Sequence, residues 1–452
     1  MTLSSNVSFR EHFVFPTNAD IGATRLVQEG KEPCAYLCGN SLGLLSTRSE
    51  SLVQQELRVW ASKAVEGHFA HPDGRDWMNI TDHVNPLLAE LVGAKESEVA
   101  CMGTLTANLH LMMNTFYKPT SKRFKILCEG RAFPSDQYAF ASQVTLHGLD
   151  PKDAIIELFP REGEFTLREE DILDVIAKQG PSIALVIFSG VQYYTGQWFP
   201  MQSITKAAKA QGSICGWDLA HAIGNIPLSL HDWDVDWAVW CTYKYLNSGP
   251  GGIAGLYVHE KWDDRELPKY AGWWGHDPST RFQMPPAFSP IRGAQGYQQS
   301  NPSVLCTASL LGSLQLFKEA GMMDTLRARS LKLTAHLEAL LVRSPYYVPP
   351  HEVAASYHPQ DTLSVTAELP RHAFTIITPQ DPNGRGSQLS LKFLPIEARV
   401  MQSVYDGLKS FGVIGDERQP DVIRLAPMAL YNTFEDCDWA AHCLDEVFRL
   451  LE

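Results

Sequence analysis

Two residues of opposite charge stand where neighbouring buried strands are expected to end. Asp218 closes the apolar segment 213–217, and Lys244 follows the apolar run 237–241. In open α/β sheets, functional side chains gather at the carboxyl ends of the strands, so both should lie at one edge of the sheet. A lysine amine can form a Schiff base with a carbonyl cofactor, and a carboxylate can keep a pyridine nitrogen protonated. The pair therefore predicts a pyridoxal phosphate site, with a structural Asp–Lys ion pair as the alternative.

Two further segments could complete such a site. The stretch 103–110 turns from a loop into an amphipathic helix, and the hydroxyls and free N–H groups at its start would suit a phosphate. An ordinary helix N-cap has the same pattern. The FPSD segment at 133–136 follows the apolar run 124–128. Phe133 could lie against the cofactor ring, although the segment alone could be a simple turn.

Taken together, these segments resemble fold-type-I pyridoxal phosphate enzymes of the class V aminotransferase type. The resemblance is closest to the kynureninase family. The motifs that carry it are GNSLG (39–43), FPSD (133–136), WDLAHAIGN (217–225), LHDW (230–233), YKYLN (243–247) and IRLAP (423–427). Because these motifs span residues 39–427, the resemblance covers nearly the whole chain.

The resemblance implies roles for individual residues. Lys244 would carry the cofactor, Asp218 would pair with its ring nitrogen, and Tyr243 would shuttle protons. The further cofactor contacts that it implies are Leu105, Thr106, Phe133, Pro134, Ser135, Asp136, Ser189, His221, Trp273 and Asn301. The substrate contacts that it implies are Ser41, His68, Asn301 and Arg424. Arg424 would grip the substrate carboxylate, a role that suits a planar guanidinium.

The resemblance also implies a reaction. It would be hydrolysis of the Cβ–Cγ bond of L-kynurenine or its 3-hydroxy form to an anthranilate and L-alanine, in tryptophan degradation and NAD synthesis de novo. A homodimer with active sites at the interface is implied as well. An aminotransferase or a desulfurase would share Lys244 and Asp218. A cofactor-free protein of this fold could bind without catalysing, so these alternatives stay open.

Three short motifs imitate other sites. GNSLG matches the nucleophile elbow of serine hydrolases, with Ser41 as nucleophile, but only 40 residues precede that serine. GPGGIA (249–254) fits a loose dinucleotide-binding pattern, yet a strand-like run follows where a helix is required. The segment 232–236 imitates the start of a calcium loop, but Trp237 stands at the glycine position. We interpret it as the solvated entry to a strand.

Short apolar runs alternate with helix-like stretches between about residues 50 and 310. The predicted strands are 124–128, 183–188, 213–217, 237–241 and 253–258. They are apolar on both faces, and a helix at 204–211 closed by Gly212 lies between two of them. The pattern predicts an α/β fold with a mostly parallel central sheet sandwiched by helices.

The pattern changes after residue 312 to that of a smaller α+β domain. We expect a helix at 326–342, a Pro- and His-rich connector at 344–372, a hairpin near 381–384, a helix at 396–410 and a strand at 422–426. The predicted division is therefore an N-terminal arm (1–48) that contributes to the small domain and the substrate site, a large cofactor domain (49–312) and a small C-terminal domain (313–452).

Composition excludes several classes of partner. Of 452 residues, 38 are Lys or Arg and 51 are Asp or Glu, and no basic stripe could neutralise a nucleic acid backbone. No apolar run approaches the ~20 residues that a bilayer span needs, and the N-terminus lacks a signal-peptide core. The nine scattered cysteines predict buried, reduced thiols in a cytoplasmic enzyme with no metal site. A site for an anionic cofactor must then be locally positive within an acidic chain.

Overall fold

The computed structural model describes residues 8–356, 372–395 and 400–452. The strands are β1 (Phe13–Val14), β2 (Ala35–Tyr36), β3 (Leu45–Ser46), β4 (Val99–Cys101), β5 (Lys125–Glu129), β6 (Ile155–Leu158), β7 (Ile183–Ser189), β8 (Ile214–Asp218), β9 (Trp237–Trp240), β10 (Gly255–Val258), β11 (Ala373–Ile376), β12 (Leu389–Leu394), β13 (Val413–Ile414), β14 (Asp416–Arg418) and β15 (Val422–Leu425). The α-helices are α1 (Thr47–Lys63), α2 (Asn85–Val92), α3 (Leu105–Phe116), α4 (Pro134–Leu146), α5 (Pro151–Ala154), α6 (Glu169–Gln179), α7 (Met201–Ala210), α8 (Val304–Glu319), α9 (Met322–Leu341), α10 (Pro350–Ser356), α11 (Val400–Ser410) and α12 (Phe434–Leu451).

The central sheet has seven strands within the described residues, in the spatial order β4-β10-β9-β8-β7-β5-β6. Strands β9, β8, β7, β5 and β6 run parallel, whereas β10 is antiparallel to both of its neighbours. Strand β7, an interior strand of the sheet, sends Val186 and Phe188 into one hydrophobic core and Leu185 and Ile187 into the other. Helices α6 and α7 contribute to the first core, and α3 and α4 to the second. Burial on both faces explains why this strand has no polar face.

A second sheet, antiparallel, lies in the C-terminal part of the described chain. Its strand order is β11-β12-β15-β14, and its core is shared with helices α9, α11 and α12. The N-terminal segment is tied to this region, because β2 pairs in parallel with β13 through Ala35 and Val413. This pairing is the contact that an arm contributing to the small domain would make.

The predicted fold class is confirmed: a largely parallel sheet is sandwiched by helices, and a smaller α+β unit follows. All five predicted strands of the central sheet form, each within two residues of its expected bounds. The helices predicted at 204–211 and 326–342 form as α7 and α9, and the hairpin and the strand at 422–426 form as β11–β12 and β15. Two strands of the central sheet were missed, β4 and β6, and β10 is antiparallel to its neighbours.

The predicted domain boundaries stay a prediction. The boundary between residues 312 and 313 falls inside helix α8, which packs along α1. The connector predicted at 344–372 includes α10, and its residues 357–371 lie outside the described residues. The first residues of the helix predicted at 396–410 also lie outside them, and the described part begins at Val400.

All nine cysteines are free thiols, and all but Cys306 are buried. This agrees with the prediction of buried, reduced cysteine. Among the helices of the described ranges, none combines the length and the apolar character that crossing a bilayer requires.

Candidate active site

The carboxyl ends of three neighbouring parallel strands frame a cavity of about 190 Å³. Strand β8 ends at Asp218, β7 ends at Ser189, and Lys244 lies in the loop after β9. Helices α3 and α4 begin at the same edge of the sheet, with Leu105 and Pro134 as their first residues. The residues that line the cavity are Leu105, Thr106, Phe133, Ser135, Asp136, Ser189, Val191, Tyr193, Asp218, Ala220, His221, Tyr243 and Lys244.

The amine of Lys244 is held by a histidine. Its Nζ donates a hydrogen bond of 2.9 Å to Nε2 of His221. Burial, together with the positive charge of Lys244, lowers the pKa of His221 well below its usual value, so the ring is neutral and accepts. Asp218 accepts instead from the N–H of Ala220 at 2.7 Å. Asp218 and Lys244 do not form the structural ion pair that was the alternative interpretation.

Two buried carboxyl groups form the floor of the cavity. Asp136 and Asp218 are 4% and 5% exposed, and their carboxyl groups lie close enough for each to shift the pKa of the other. Burial raises the pKa of both, and the charge of Asp218 raises that of Asp136 further. A buried carboxylate needs a cationic partner. A protonated pyridine nitrogen supplies that partner, so the floor fits the ring end of pyridoxal phosphate.

The start of helix α3 provides the anion-binding end. Its N-cap residue, Thr104, makes no side-chain capping bond, so the first N–H groups of the helix lack a side-chain acceptor. Leu105 and Thr106, the first two residues of the helix, line the cavity. Free N–H groups and the helix dipole at this point favour a phosphate.

An aromatic wall faces the lysine. The Lys244 Nζ lies 5.8 Å from the ring centroid of Phe133 and 6.0 Å from that of Tyr243. Phe133 is 42% exposed, and the ring of Tyr193 meets it edge-on at 5.1 Å. A flat aromatic cofactor attached to Lys244 would therefore meet an open ring face.

Six predicted site residues do not line this cavity. Pro134 occupies the first turn of α4 and shapes the entry to Ser135. Ser41 lies in the turn between β2 and β3, which is tied to the lysine segment by the Gly43 N–H bond to the Tyr243 carbonyl. The others are His68, Trp273, Asn301 and Arg424.

Arg424 is fully buried, and its side chain is already occupied. Its Nη2 donates to Asp416 at 2.6 Å, and its Nη1 donates to the carbonyl of Tyr193 at 2.7 Å. Only its Nε lacks a partner. The predicted role of Arg424 in binding the substrate carboxylate thus stays a prediction, and the structure places Tyr193 between it and the cavity.

Three predicted site residues lie instead around residues 68–69 and 273–301, where Trp273 and Asn301 are exposed and His68 is half-buried. Trp273 packs edge-on against Phe282 at 5.4 Å, and Phe282 contacts Phe69, the neighbour of His68, at 5.9 Å. Phe69, Trp273 and Phe282 are 57%, 43% and 53% exposed. We call residues His68, Phe69, Trp273 and Phe282 the aromatic patch; Asn301 is exposed as well.

Sequence reasoning missed Val191, Tyr193 and Ala220 as cavity residues. It also missed Glu129, which accepts hydrogen bonds from Ser189 behind the cavity. A signal for Glu129 was present, because a charged residue follows the apolar run 124–128 at the expected end of a strand. Tyr193 carried no such signal: its ring lines both this cavity and a neighbouring one of about 700 Å³.

The three motifs that resemble other kinds of site do not form those sites in the structure. Ser41 lies on a turn outside the central sheet, so it lacks the strand–turn–helix setting of a nucleophile elbow. The segment 249–254 is a turn that leads into β10, with no helix after it. Our interpretation of 232–236 as a solvated strand entry is wrong for Asp236, which is 2% exposed and accepts from the Cys215 N–H and from Lys261.

One group of metal-ligand type lies at the opposite edge of the sheet, among the described residues. It consists of Glu98, His231 and His259. His231 Nδ1 lies 3.0 Å from Glu98, while His259 Nδ1 accepts from the Lys261 N–H at 3.1 Å. These nitrogens are engaged within the protein, so we interpret the group as a hydrogen-bonding network, and the absence of a metal site stays a prediction.

Comparison with known proteins identifies the family. Residues 360–444 match the model of the kynureninase C-terminal domain, and residues 59–278 match that of class V aminotransferases. Kynureninase of Yarrowia lipolytica is 48% identical over 98% of this chain and 99% of its own length. The chain belongs to the kynureninase family. The kynureninases of Nematostella vectensis and Saccharomyces cerevisiae are also 48% identical over 98% of the chain, covering 91% and 97% of those proteins.

Solved structures agree on the fold of this family member. A C-DES variant with glycine covalently linked to its PLP cofactor has a TM-score of 0.72 and 16% identity, over 92% of this chain and 96% of its own. The cysteine desulfurase CsdA of Escherichia coli has a TM-score of 0.71 and 16% identity, over 98% of both chains. With the family established, the cofactor is pyridoxal 5′-phosphate. The chain is a pyridoxal phosphate-dependent hydrolase.

Proposed function

We propose that the protein hydrolyses the Cβ–Cγ bond of L-kynurenine or of 3-hydroxy-L-kynurenine, giving an anthranilate and L-alanine. The observation that carries this proposal is the cavity in a chain so similar to kynureninases: Lys244 Nζ lies against neutral His221, beside Phe133 and above the buried carboxyls of Asp136 and Asp218. This arrangement offers a nucleophilic amine, an aromatic wall and an acidic floor to one ligand.

The side chains divide the work of handling protons. When bound, the cofactor draws electrons away from the substrate Cα. Lys244 Nζ would hold the cofactor at its carbonyl carbon, and as a free amine it would remove the substrate Cα proton as general base. His221 accepts from Nζ and so orients the amine. Asp218 would hold a proton on the ring nitrogen, because this carboxyl is buried and has no other cation at hydrogen-bond distance.

Tyr243 is our candidate for the proton donor to the product. The reaction consumes one water: the Cβ–Cγ bond breaks, the hydroxyl remains on the aryl carbonyl carbon to give the carboxylate of anthranilate, and Cβ gains a proton to become the methyl group of alanine. Burial raises the pKa of Tyr243, so its phenol is protonated at neutral pH and can donate at Oη. It lines the cavity next to Lys244.

The lysine assignment is tested by Lys244→Ala. We expect the purified variant to lose both the visible absorption band of the bound cofactor and all turnover of kynurenine, because no other amine lines the cavity. Lys178→Ala, which removes an exposed lysine paired with Asp174, should change neither. A Lys244→Ala protein that kept the band and the turnover would refute the assignment.

Product analysis separates the proposed reaction from its alternatives. Alanine and anthranilate in equal amounts support hydrolysis, whereas a keto acid with an aminated cofactor would show an aminotransferase. The ratio of kcat/KM values for kynurenine and 3-hydroxykynurenine then ranks the two substrates. An absence of any visible band would favour a cofactor-free binding protein.

We also propose that the active enzyme is a homodimer in which the aromatic patch of one copy completes the cavity of the other. Three predicted site residues, His68, Trp273 and Asn301, do not reach the cavity of their own chain. Three of its four side chains, those of Phe69, Trp273 and Phe282, are exposed aromatic rings, which suit a surface that pairs with a second copy. If the patch of one copy reaches the cavity of the other, a twofold axis repeats the same contact at the second site.

Mixing two inactive variants tests the dimer. Lys244→Ala lacks the amine and Trp273→Ala lacks the patch, but a hybrid dimer contains one site with both intact. After unfolding and refolding together, random pairing should restore roughly a quarter of wild-type activity. Activity that stays at the level of the separate variants would contradict a shared site.

The free cysteines and the family support a cytoplasmic location for this dimer, which cell fractionation can check.

A further inference from the structure

A third buried carboxyl group lies behind the cofactor cavity. Glu129 is the last residue of β5 and is 3% exposed. Its Oε1 accepts from the Ser189 hydroxyl at 2.5 Å, and the Ser189 N–H approaches both carboxylate oxygens at 3.2 and 3.3 Å. The side chain is therefore held by two donors of a single residue that itself lines the cavity.

Ser189 links Glu129 to the floor of the cavity. In the parallel pairing of β7 with β8, Ser189 lies directly opposite Asp218, and the next N–H, that of Gly190, donates to the Asp218 carbonyl at 2.7 Å. Glu129, Ser189 and Asp218 thus sit side by side at the ends of β5, β7 and β8. Because only Ser189 separates Glu129 from Asp218, a change in the charge of Glu129 alters the electrostatic potential at Asp218.

The charged and titratable groups around Glu129 come from several elements. The negative charges of Asp218 on β8 and Asp136 on α4 repel that of Glu129. The charge of Glu129 in turn raises the pKa of Tyr193 and of Cys128. Lys244 is the cation of the cofactor cavity and is bonded to His221, while Arg131, Glu164 and Lys392 line, with Glu129, the neighbouring cavity of about 700 Å³. Burial raises the pKa of Glu129 to about 7, and the two donors of Ser189 oppose this rise. Its charge consequently changes near neutral pH.

We propose that Glu129 is a positioning residue of the cofactor site, which fixes Ser189 at the cavity wall and adds a switchable negative charge beneath the cofactor ring. Ionised Glu129 stabilises the protonated, cationic form of the bound cofactor, and neutral Glu129 does not. The residue acts through Ser189 and through its field, without touching substrate. The inference rests on the pyridoxal phosphate site and not on the identity of the substrate, so a failure to cleave kynurenine would leave it testable.

The test is the pH dependence of the visible band of the bound cofactor in the Glu129→Gln holoenzyme. Glutamine keeps an oxygen that accepts from Ser189 but removes the charge. We expect the midpoint pH of the spectral change to fall by roughly half a pH unit or more, because a nearby carboxylate favours the cationic form. Glu157→Gln on β6, an exposed carboxyl beside Cys128, is the matched control and should leave the midpoint unchanged.

A second pair of variants separates charge from hydrogen bonding. Glu129→Asp keeps the charge on a shorter side chain, so the midpoint should stay near that of wild type while cofactor affinity falls about threefold or more. If Glu129→Gln fails to fold, Ser189→Ala takes its place: loss of the hydroxyl donor makes Glu129 harder to ionise and should lower the midpoint. A midpoint that is the same in wild type and in whichever of Glu129→Gln and Ser189→Ala folds would overturn the proposal.

Discussion

Arg424 shows how a single residue can be both buried and predicted to bind substrate. Its guanidinium bonds Asp416 and the Tyr193 carbonyl, and it has no exposed surface. A lysine at this position could not form both bonds in one plane. If Arg424 also grips the substrate carboxylate, Arg424→Lys should raise the KM for kynurenine about tenfold or more, which steady-state kinetics will measure.

Arg424→Lys should weaken the binding only of ligands that carry the α-carboxylate. Inhibition by the decarboxylated analogue kynuramine should be unchanged in Arg424→Lys, because that compound offers the arginine nothing to bind. Arg418→Lys is the matched control: Arg418 bonds the same Asp416 at 3.0 Å but is part-exposed, so its substitution should change KM far less. An unchanged KM in Arg424→Lys would remove this residue from the site.

Residues with unusual chemistry in a recognisable motif could be placed from sequence. Lys244, Asp218 and His221 belong to such motifs, and the structure brings them into one cavity. Glu129 and Tyr193 could not be placed in the same way. Their positions depend on contacts with Ser189 and Phe133, which lie in separate chain segments. Spacing in the sequence does not encode such contacts.

At the scale of elements, the turn 38–44 is packed against the segment that carries the lysine. The Gly43 N–H donates to the Tyr243 carbonyl at 2.8 Å, and a Cβ on Gly43 would lie within 2.5 Å of the Lys244 carbonyl oxygen. Gly43→Ala must therefore push the two segments apart, at a cost of about 1–3 kcal/mol. We expect weaker cofactor binding and a lower Tm, measured by titration and thermal unfolding.

Gly384→Ala provides the control for this substitution. A Cβ on Gly384 would meet its nearest neighbour, Pro379 Cβ, at 3.4 Å, which is ordinary contact. This variant should bind the cofactor as tightly as the wild type does. If Gly43→Ala did the same, the turn 38–44 would have no role in placing Lys244.

The elements themselves were predictable to different degrees. Continuous apolar runs identified β5, β7, β8 and β9, because these strands are covered on both faces. Strand β4 was missed because it has only three residues, and β6 was missed because it is an edge strand in which exposed Glu157 interrupts the apolar run. The direction of β10 depends on the path of the loop that joins it to β9. The periodicity of apolar residues does not reveal that path.

For the whole molecule, net charge predicted a locally positive site within an acidic chain. The structure divides that expectation between two ends of one cavity. The start of α3 supplies positive potential for the phosphate, whereas Lys244, Asp136 and Asp218 place an amine and an acidic floor at the ring. Glu129 lies behind this floor. Composition could not reveal this division, because it depends on which strand ends meet at one edge of the sheet.

The buried carboxyl group of Glu129 should make the stability of the cofactor-free protein depend on pH. Burial raises the pKa of Glu129 from its ordinary 4.5 to about 7, so between these values the folded protein holds a proton that the unfolded chain has lost. Folding is then favoured at low pH, and the free energy of unfolding falls as pH rises from about 4.5 to about 7, by roughly 3 kcal/mol from this group. Glu129→Gln cannot titrate, so its decline over this window should be smaller than that of wild type, whereas Glu157→Gln should follow wild type. Urea unfolding of the three proteins at pH 5 and pH 7.5 measures the difference, and parallel declines in all three would show that Glu129 is ionised throughout.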